Sequence, residues 1–267
     1  MSGECSIEQT VATPISNLRV GGHEKHSRAE SFVLKPARSV AINRLVAALP
    51  GKDRQRLLAR CEPVELGRAD ILSHPGESIS HIFFPIDSFI SLITPMGGHA
   101  GLEVGLIGDE GMWGISLMLG VNTAPLRALV QGAGRAWRME SAAFSRELRR
   151  SAALQQSLNR YLFVTLSQFA QAGACTRFHL LEARLARRLL MIRDRAYADE
   201  FPVTHELLAD TLGVRRAGVS GAAHALQKRR LICYTRGRLT ILDASGLEAA
   251  ACACYTADKA TYARVLG

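Results

Sequence analysis

The period of apolar positions changes three times along the chain, and each change marks a different kind of structure. Residues 1 to about 35 carry no sustained period and are rich in Ser, Gly, Glu, Lys and Arg, which predicts a mobile tail. From Asn43 to Cys61, NRLVAALPGKDRQRLLARC places apolar residues at helical spacing with a break at Pro50–Gly51, so two short helices are expected. Between Glu62 and Glu140 the pattern shortens to VEL, DIL, HIFFPI, SFISLITPM, LEVGLIG, ALVQGAG and RAWRME, separated by Gly-, Pro-, Asp- and Asn-rich pieces. Short β-branched and aromatic runs at near-regular spacing predict a barrel or a double-sheet roll.

After Ser141 the helical period returns. AAFSRELRR predicts a short helix. In SAALQQSLNRYLFVTLSQFAQAGACTRF, Leu154, Leu158, Leu162, Thr165, Phe169 and Ala172 recur at steps of three and four. This long apolar stripe is read as a dimer contact, with packing on the chain's own roll as the alternative. HLLEARLARRLLMIRDRA gives another helix, with Leu181, Leu185 and Leu189 inward and Arg184, Arg187 and Arg188 outward. The expected fold class is α+β: a jelly-roll-like double-sheet β-roll, a long dimerisation helix and a C-terminal winged helix-turn-helix. The expected domains are a tail over 1–35, a sensor roll with flanking helices over 36–150, the dimerisation helix over 151–178 and the winged domain over 179–267.

That last domain is read from HELLADTLGVRRAGVSGAAHALQKRRLI, residues 205–232. A helix-turn-helix needs a small residue where its second helix crosses the first, and Ala209 meets this. It needs a residue tolerant of left-handed backbone at the turn, and Gly213 meets this. A branched apolar residue must fill the gap between the helices, and Val219 does so. Arg215, Arg216, Ala217, Ser220 and His224 then fall on the outer face as candidate base contacts. Gly218 and Gly221 each cost a helix roughly 1 kcal/mol against Ala, so packing must compensate. LICYTRGRLTILD follows as a hairpin, with strands Leu231–Tyr234 and Leu239–Leu242 around a basic tip. Lys228, Arg229, Arg230, Arg236 and Arg238 are the candidate phosphate contacts.

Charge supports this reading. The 267 residues carry a net charge of +9, which favours polyanionic partners through counterion release. The first residues have no basic start followed by an apolar core, and no run approaches a membrane span. The six cysteines (Cys5, Cys61, Cys175, Cys233, Cys252, Cys254) are scattered and read as mostly reduced thiols. A cytoplasmic protein that does not engage membranes is expected. No Ser/His/Asp, paired-carboxylate or phosphate-loop signature stands in a fitting context, so no catalytic residues and no enzymatic activity are expected.

With these segments in hand, the chain from Asn43 to Leu247 resembles the Crp/Fnr family of bacterial transcription regulators. The resemblance implies a homodimer reading two half-sites of a palindrome in double-stranded DNA, with RNA polymerase as a further partner. It also implies a roll built like a cyclic-nucleotide-binding domain. Departures from the family pattern matter here. Cyclic-AMP-binding members carry a Gly-Glu pair and, after a loop, an Arg-Ser pair. Here Gly114 is followed by Ile115, and Ala124–Pro125 stand where Arg-Ser would be. The cassette is therefore degenerate, and a buried cyclic phosphate would lack its arginine. The family's iron–sulfur pattern is also missing, since only Cys5 and Cys61 lie in the N-terminal part. The recognition helix keeps Arg216 but has Ala217 and Gly221 where many members carry Glu and Arg, so a different half-site is expected.

Two further features complete the reading. His74 is taken as a surface group, and Met112 and Trp113 as filling of the roll. Cys252-x-Cys254 cannot complete a tetrahedral site alone and would diverge on a helix, so no metal and no cofactor are expected. Two regulators remain open: one whose roll has no effector, and one whose roll binds another small molecule (a cyclic dinucleotide, haem or a metabolite).

Overall fold

A computed structural model describes residues 42–96 and 99–267. The expected tail and Cys5 lie outside them. Two short helices come first, α1 (Arg44–Ala47) and α2 (Gly51–Leu58), broken at Pro50 as the sequence requires. Asn43 is buried and caps α1, accepting from the Val46 amide, while its own amide donates to the carbonyls of Pro85 and Gly111.

Each of the seven apolar runs forms a strand: β1 (Glu62–Leu66), β2 (Ile71–Ser73), β3 (His81–Pro85), β4 (Phe89–Met96), β5 (His99–Ile107), β6 (Arg127–Gly132) and β7 (Gly134–Glu140). They make two antiparallel sheets, ordered β1-β7-β3 and β2-β6-β4-β5. Ile82, Phe84, Ile90, Val130 and Met139 from both sheets join Met112 and Trp113 in one apolar cluster. This closed filling is what the expected double-sheet roll demands.

The helical part follows, with α3 (Ser141–Arg150), α4 (Ala152–Phe178) and α5 (Leu181–Ala196). Ser151 caps α4 by accepting from the Leu154 amide at 3.1 Å. The winged domain comprises β8 (Glu200–Pro202), α6 (His205–Leu212), α7 (Arg216–Lys228), β9 (Ile232–Thr235), β10 (Arg238–Ile241), α8 (Ala244–Ala250) and α9 (Cys254–Val265). Strand β8, three residues long, was not foreseen. It pairs with β10 and makes the hairpin a three-stranded sheet, β8-β10-β9.

Two expectations need correction. On α4, the chosen stripe faces the chain's own roll: Leu154, Leu158 and Thr165 are buried, and Leu162 and Phe169 are half-buried. Phe169 packs so tightly on β5 that a Cβ on Gly105 would lie 2.9 Å from its ring. The opposite face carries the exposed apolar residues Phe163, Leu166 and Phe178.

On α5, Arg184, Arg187 and Arg188 point inward, not outward. Arg188 is buried and meets the buried Glu103 of β5 at 2.8 Å, with Gln131 as a second partner. Arg195 meets Glu110 at 2.6 Å, and Tyr197 donates to Asp109 at 2.7 Å. The apolar surround extends across the same boundary, since Phe89 and Leu106 of the roll belong to the core of the winged domain. A charged joint inside an apolar shell therefore connects roll and α5.

Candidate nucleic-acid interface

The local sequence explains the helix-turn-helix. Thr204 caps α6, accepting from the Leu207 amide at 3.1 Å. Gly213 ends it in left-handed backbone, φ +64°, a conformation that side chains with a Cβ rarely adopt. Ala209 and Val219 are buried where the two helices cross. Gly218 also finds its reason, because a Cβ there would press on Leu181 of α5 at 3.1 Å. Gly221 faces open space, so nothing of its own projects between that turn of α7 and a docked surface.

The outer face of α7 starts with exposed Arg215, Arg216 and Ala217, followed two turns later by exposed His224. Arg216 stands 4.0 Å from Glu206 of α6, both well exposed. A pair so open to water contributes little and can be exchanged for another anion. Ser220, half-buried, has a partner within the chain. Its hydroxyl lies 3.0 Å from Nδ1 of His205, whose ring stacks on Tyr234 with centroids 4.3 Å apart. Ser220 thus binds α7 to the start of α6 and the wing. Burial, reinforced by the charge of Arg216, holds the pKa of His205 below its ordinary value.

The candidate phosphate contacts separate into two groups. Lys228 and Arg230 at the end of α7, and Arg236 at the wing tip, are exposed. Arg236 and Gly237 both have positive φ, +49° and +79°, which is the two-residue turn that matches strand twist. Arg229 and Arg238 are held by carboxylates of the chain itself, Glu182 at 2.9 Å and Glu200 at 2.6 Å. They would have to leave these partners to reach a phosphate.

The degenerate cassette lies on the roll. Gly114 has φ +95°, and a Cβ there would collide with Ile82. Ile115 opens a short 3-10 turn ending at Leu119. Ala124 is buried and held by backbone bonds to Glu77 and Gly76, while Pro125 is exposed. His74 is exposed, as expected.

Residues 183–250 match the Crp-like helix-turn-helix domain. The C-terminal part of the chain thus carries a Crp-like helix-turn-helix domain. Solved structures share its fold over about three quarters of the chain. A transcriptional regulator of the Crp/Fnr family from Eubacterium rectale, itself described as putative, is 17% identical, with a TM-score of 0.61, covering 77% of this chain and 96% of its own. FixK2 from Bradyrhizobium japonicum is 11% identical, with a TM-score of 0.62 and coverages of 72% and 98%. CLP of Xanthomonas campestris, a c-di-GMP-responsive global regulator, is 15% identical, with a TM-score of 0.60 and coverages of 72% and 99%. No curated protein matches the sequence. This chain has the fold of these structures, with a roll, a long helix and a winged domain in that order. Among the described residues no helix is long and apolar enough to cross a membrane.

The structure also gathers residues that the sequence reading passed over. His205 is one. Others are Cys175 and His179, which meet Cys252 and Cys254 at the C-terminal end of α4. Cys252 precedes α9 and only Cys254 is helical, so the divergence expected of two helical thiols does not arise. The available signal was the Cys175-x3-His179 spacing at the end of a helix, alongside Cys-x-Cys.

Proposed function

We propose that this chain is a Crp/Fnr-type transcription regulator that acts as a homodimer and reads a palindromic DNA site through α7, with RNA polymerase as its further partner. The observation that carries the reading is the exposed start of α7, where Arg215 and Arg216 project beside Ala217 and the bare Gly221. An arginine so placed can meet a guanine edge with both of its donors. Lys228, Arg230 and Arg236 flank it as phosphate contacts. Arg216→Ala is expected to weaken binding to the selected site by about 1–3 kcal/mol and to relax preference at one base pair. Arg236→Ala should weaken all sequences alike and flatten the salt dependence. Selection from random duplexes followed by binding titrations at several salt concentrations reads both. Enrichment without a motif would refute sequence-specific reading.

The second chain is placed on the outward face of α4. Phe163, Leu166, Ala170, Gly173 and Ala174 recur at steps of three and four, and all are exposed. This is the spacing of a coiled-coil contact, with small residues that let two helix backbones approach.

The roll is proposed to work without cyclic AMP in the family's usual mode. Its interior is filled by Met112, Trp113, Ala124 and their neighbours, and its cassette has no Arg-Ser pair. Calorimetric titration of the full chain with cyclic AMP is expected to show no micromolar binding. Micromolar or tighter binding would overturn this. Gating by another small molecule has its support elsewhere, in a cavity of about 800 Å³ outside the roll, lined by Arg44, Glu110, Arg160, Arg195 and Lys259.

A further inference from the structure

We propose that Cys175, His179, Cys252 and Cys254 form a mononuclear zinc site at the joint between the long helix and the winged domain. The donor atoms come from two places in the chain. Cys175 lies in the last turn of α4, and His179 is the residue that caps it in extended backbone. Cys252 sits in the link between α8 and α9, and Cys254 is the first residue of α9.

Their geometry is that of one small ion. The four donor atoms all lie within 4.8 Å of one another. Cys175 Sγ and Cys252 Sγ are 3.5 Å apart, and Cys254 Sγ and His179 Nδ1 are 3.4 Å apart. A tetrahedral zinc bound at roughly 2.3 Å separates its sulfur ligands by about 3.8 Å. Small rotations of side chains therefore suffice. A four-iron cluster would sit as a whole cube between its ligands and needs them much farther apart. Three thiolates and one imidazole are also a donor set that selects zinc over hard cations such as magnesium or calcium.

The surroundings fit the same ion. All three cysteines are buried, at 8% exposure or less. Gln171 Nε2 donates to Cys254 Sγ at 2.8 Å, fixing a ligand from outside. Zinc with three thiolates and a neutral imidazole carries one net negative charge. Arg184 and Arg187, both buried on α5, supply positive charge beside it. Arg187 is itself tied to Asp258 of α9 at 2.6 Å. Arg184 donates to the carbonyl of Leu212, the last residue before the helix-turn-helix glycine. Zinc here would clamp α9 to α4 and hold, through Arg184, the turn between the two DNA-reading helices.

The test uses the full-length chain, prepared under reducing, oxygen-free conditions and independently of any DNA assay. Elemental analysis is expected to give one zinc per chain. Cobalt added to the zinc-free protein should give an intense thiolate-to-metal band in the near ultraviolet and the visible bands of a tetrahedral centre, both discharged by zinc. Cys252→Ser and His179→Ala should bring the zinc content close to zero. Cys61→Ser should leave it unchanged, because Cys61 lies elsewhere and burial pushes its thiol up to about 12. The cobalt titration of the parent protein remains decisive if a variant fails to fold. Absence of both stoichiometric zinc and the cobalt bands, an iron–sulfur absorbance, or a Cys175–Cys252 disulfide that persists under these conditions would each overturn the site.

Discussion

Arg188→Met is expected to lower the unfolding free energy by about 3–5 kcal/mol, because it leaves Glu103 buried without its countercharge. The arginine is only 4% exposed, and its guanidinium meets the carboxylate at 2.8 Å. Burial pushes the Glu103 carboxyl up, while Arg188 and a hydrogen bond from Ser91 oppose that rise. Removing the arginine removes the larger opposition, so the folded-state pKa climbs further above the unfolded value. A group shifted this way favours folding below its unfolded pKa and loses that contribution as pH rises through its folded pKa. The deficit of the variant should therefore narrow as pH falls toward about 4, the ordinary range of a glutamate. Adding Glu103→Leu should restore most of the stability at neutral pH, since an apolar pair can replace a buried ion pair at little cost. Urea unfolding at two pH values measures all three effects. A single-variant loss below about 1 kcal/mol would show that water reaches the pair.

The second large effect is expected on assembly. Leu166 is 58% exposed on the outward face of α4, beside Phe163. A twofold interface uses each such residue twice. Leu166→Glu removes two apolar contacts worth roughly 1.5–3 kcal/mol each and sets two carboxylates against an apolar stripe. The dimer dissociation constant should rise by two orders of magnitude or more, since each tenfold step is about 1.4 kcal/mol. Leu158→Glu acts on the other face and should unfold the chain instead, because Leu158 is fully buried against the roll. Sedimentation velocity with circular dichroism separates the outcomes. A folded dimer for Leu166→Glu would place the partner elsewhere.

These two effects coincide with the places where the sequence misleads. The strands of the roll were legible because each apolar run is bounded by turn formers and too short for a helix. The helix-turn-helix was legible because Ala209, Gly213 and Val219 answer separate steric demands at fixed spacing. Helix α4 is apolar on two faces, so periodicity finds a stripe without saying which side it serves. Helix α5 defeats periodicity differently. Its arginines are placed where a solvated face should be, and partners distant in sequence, Glu103, Glu110, Asp258 and the Leu212 carbonyl, turn them inward. Strand β8 was lost because three residues, EFP, give no period at all. The Cys175–His179 pair belongs with Cys252 and Cys254 only once α9 lies along α4, which no local pattern encodes.

The joint at α5 has a consequence for motion. Its ties are discrete: Arg188 with Glu103, Arg195 with Glu110, Tyr197 with Asp109. Each is backed by a neighbour: Gln131 beside Arg188, the Leu106 carbonyl beside Arg195 and Arg44 beside Asp109. Tilts of the winged domain strain these ties at once, and larger ones must release them together. The joint behaves as a detent and not as a spring, so an agent that moves the DNA-reading helices would shift the fraction of molecules that have let go, with few caught halfway.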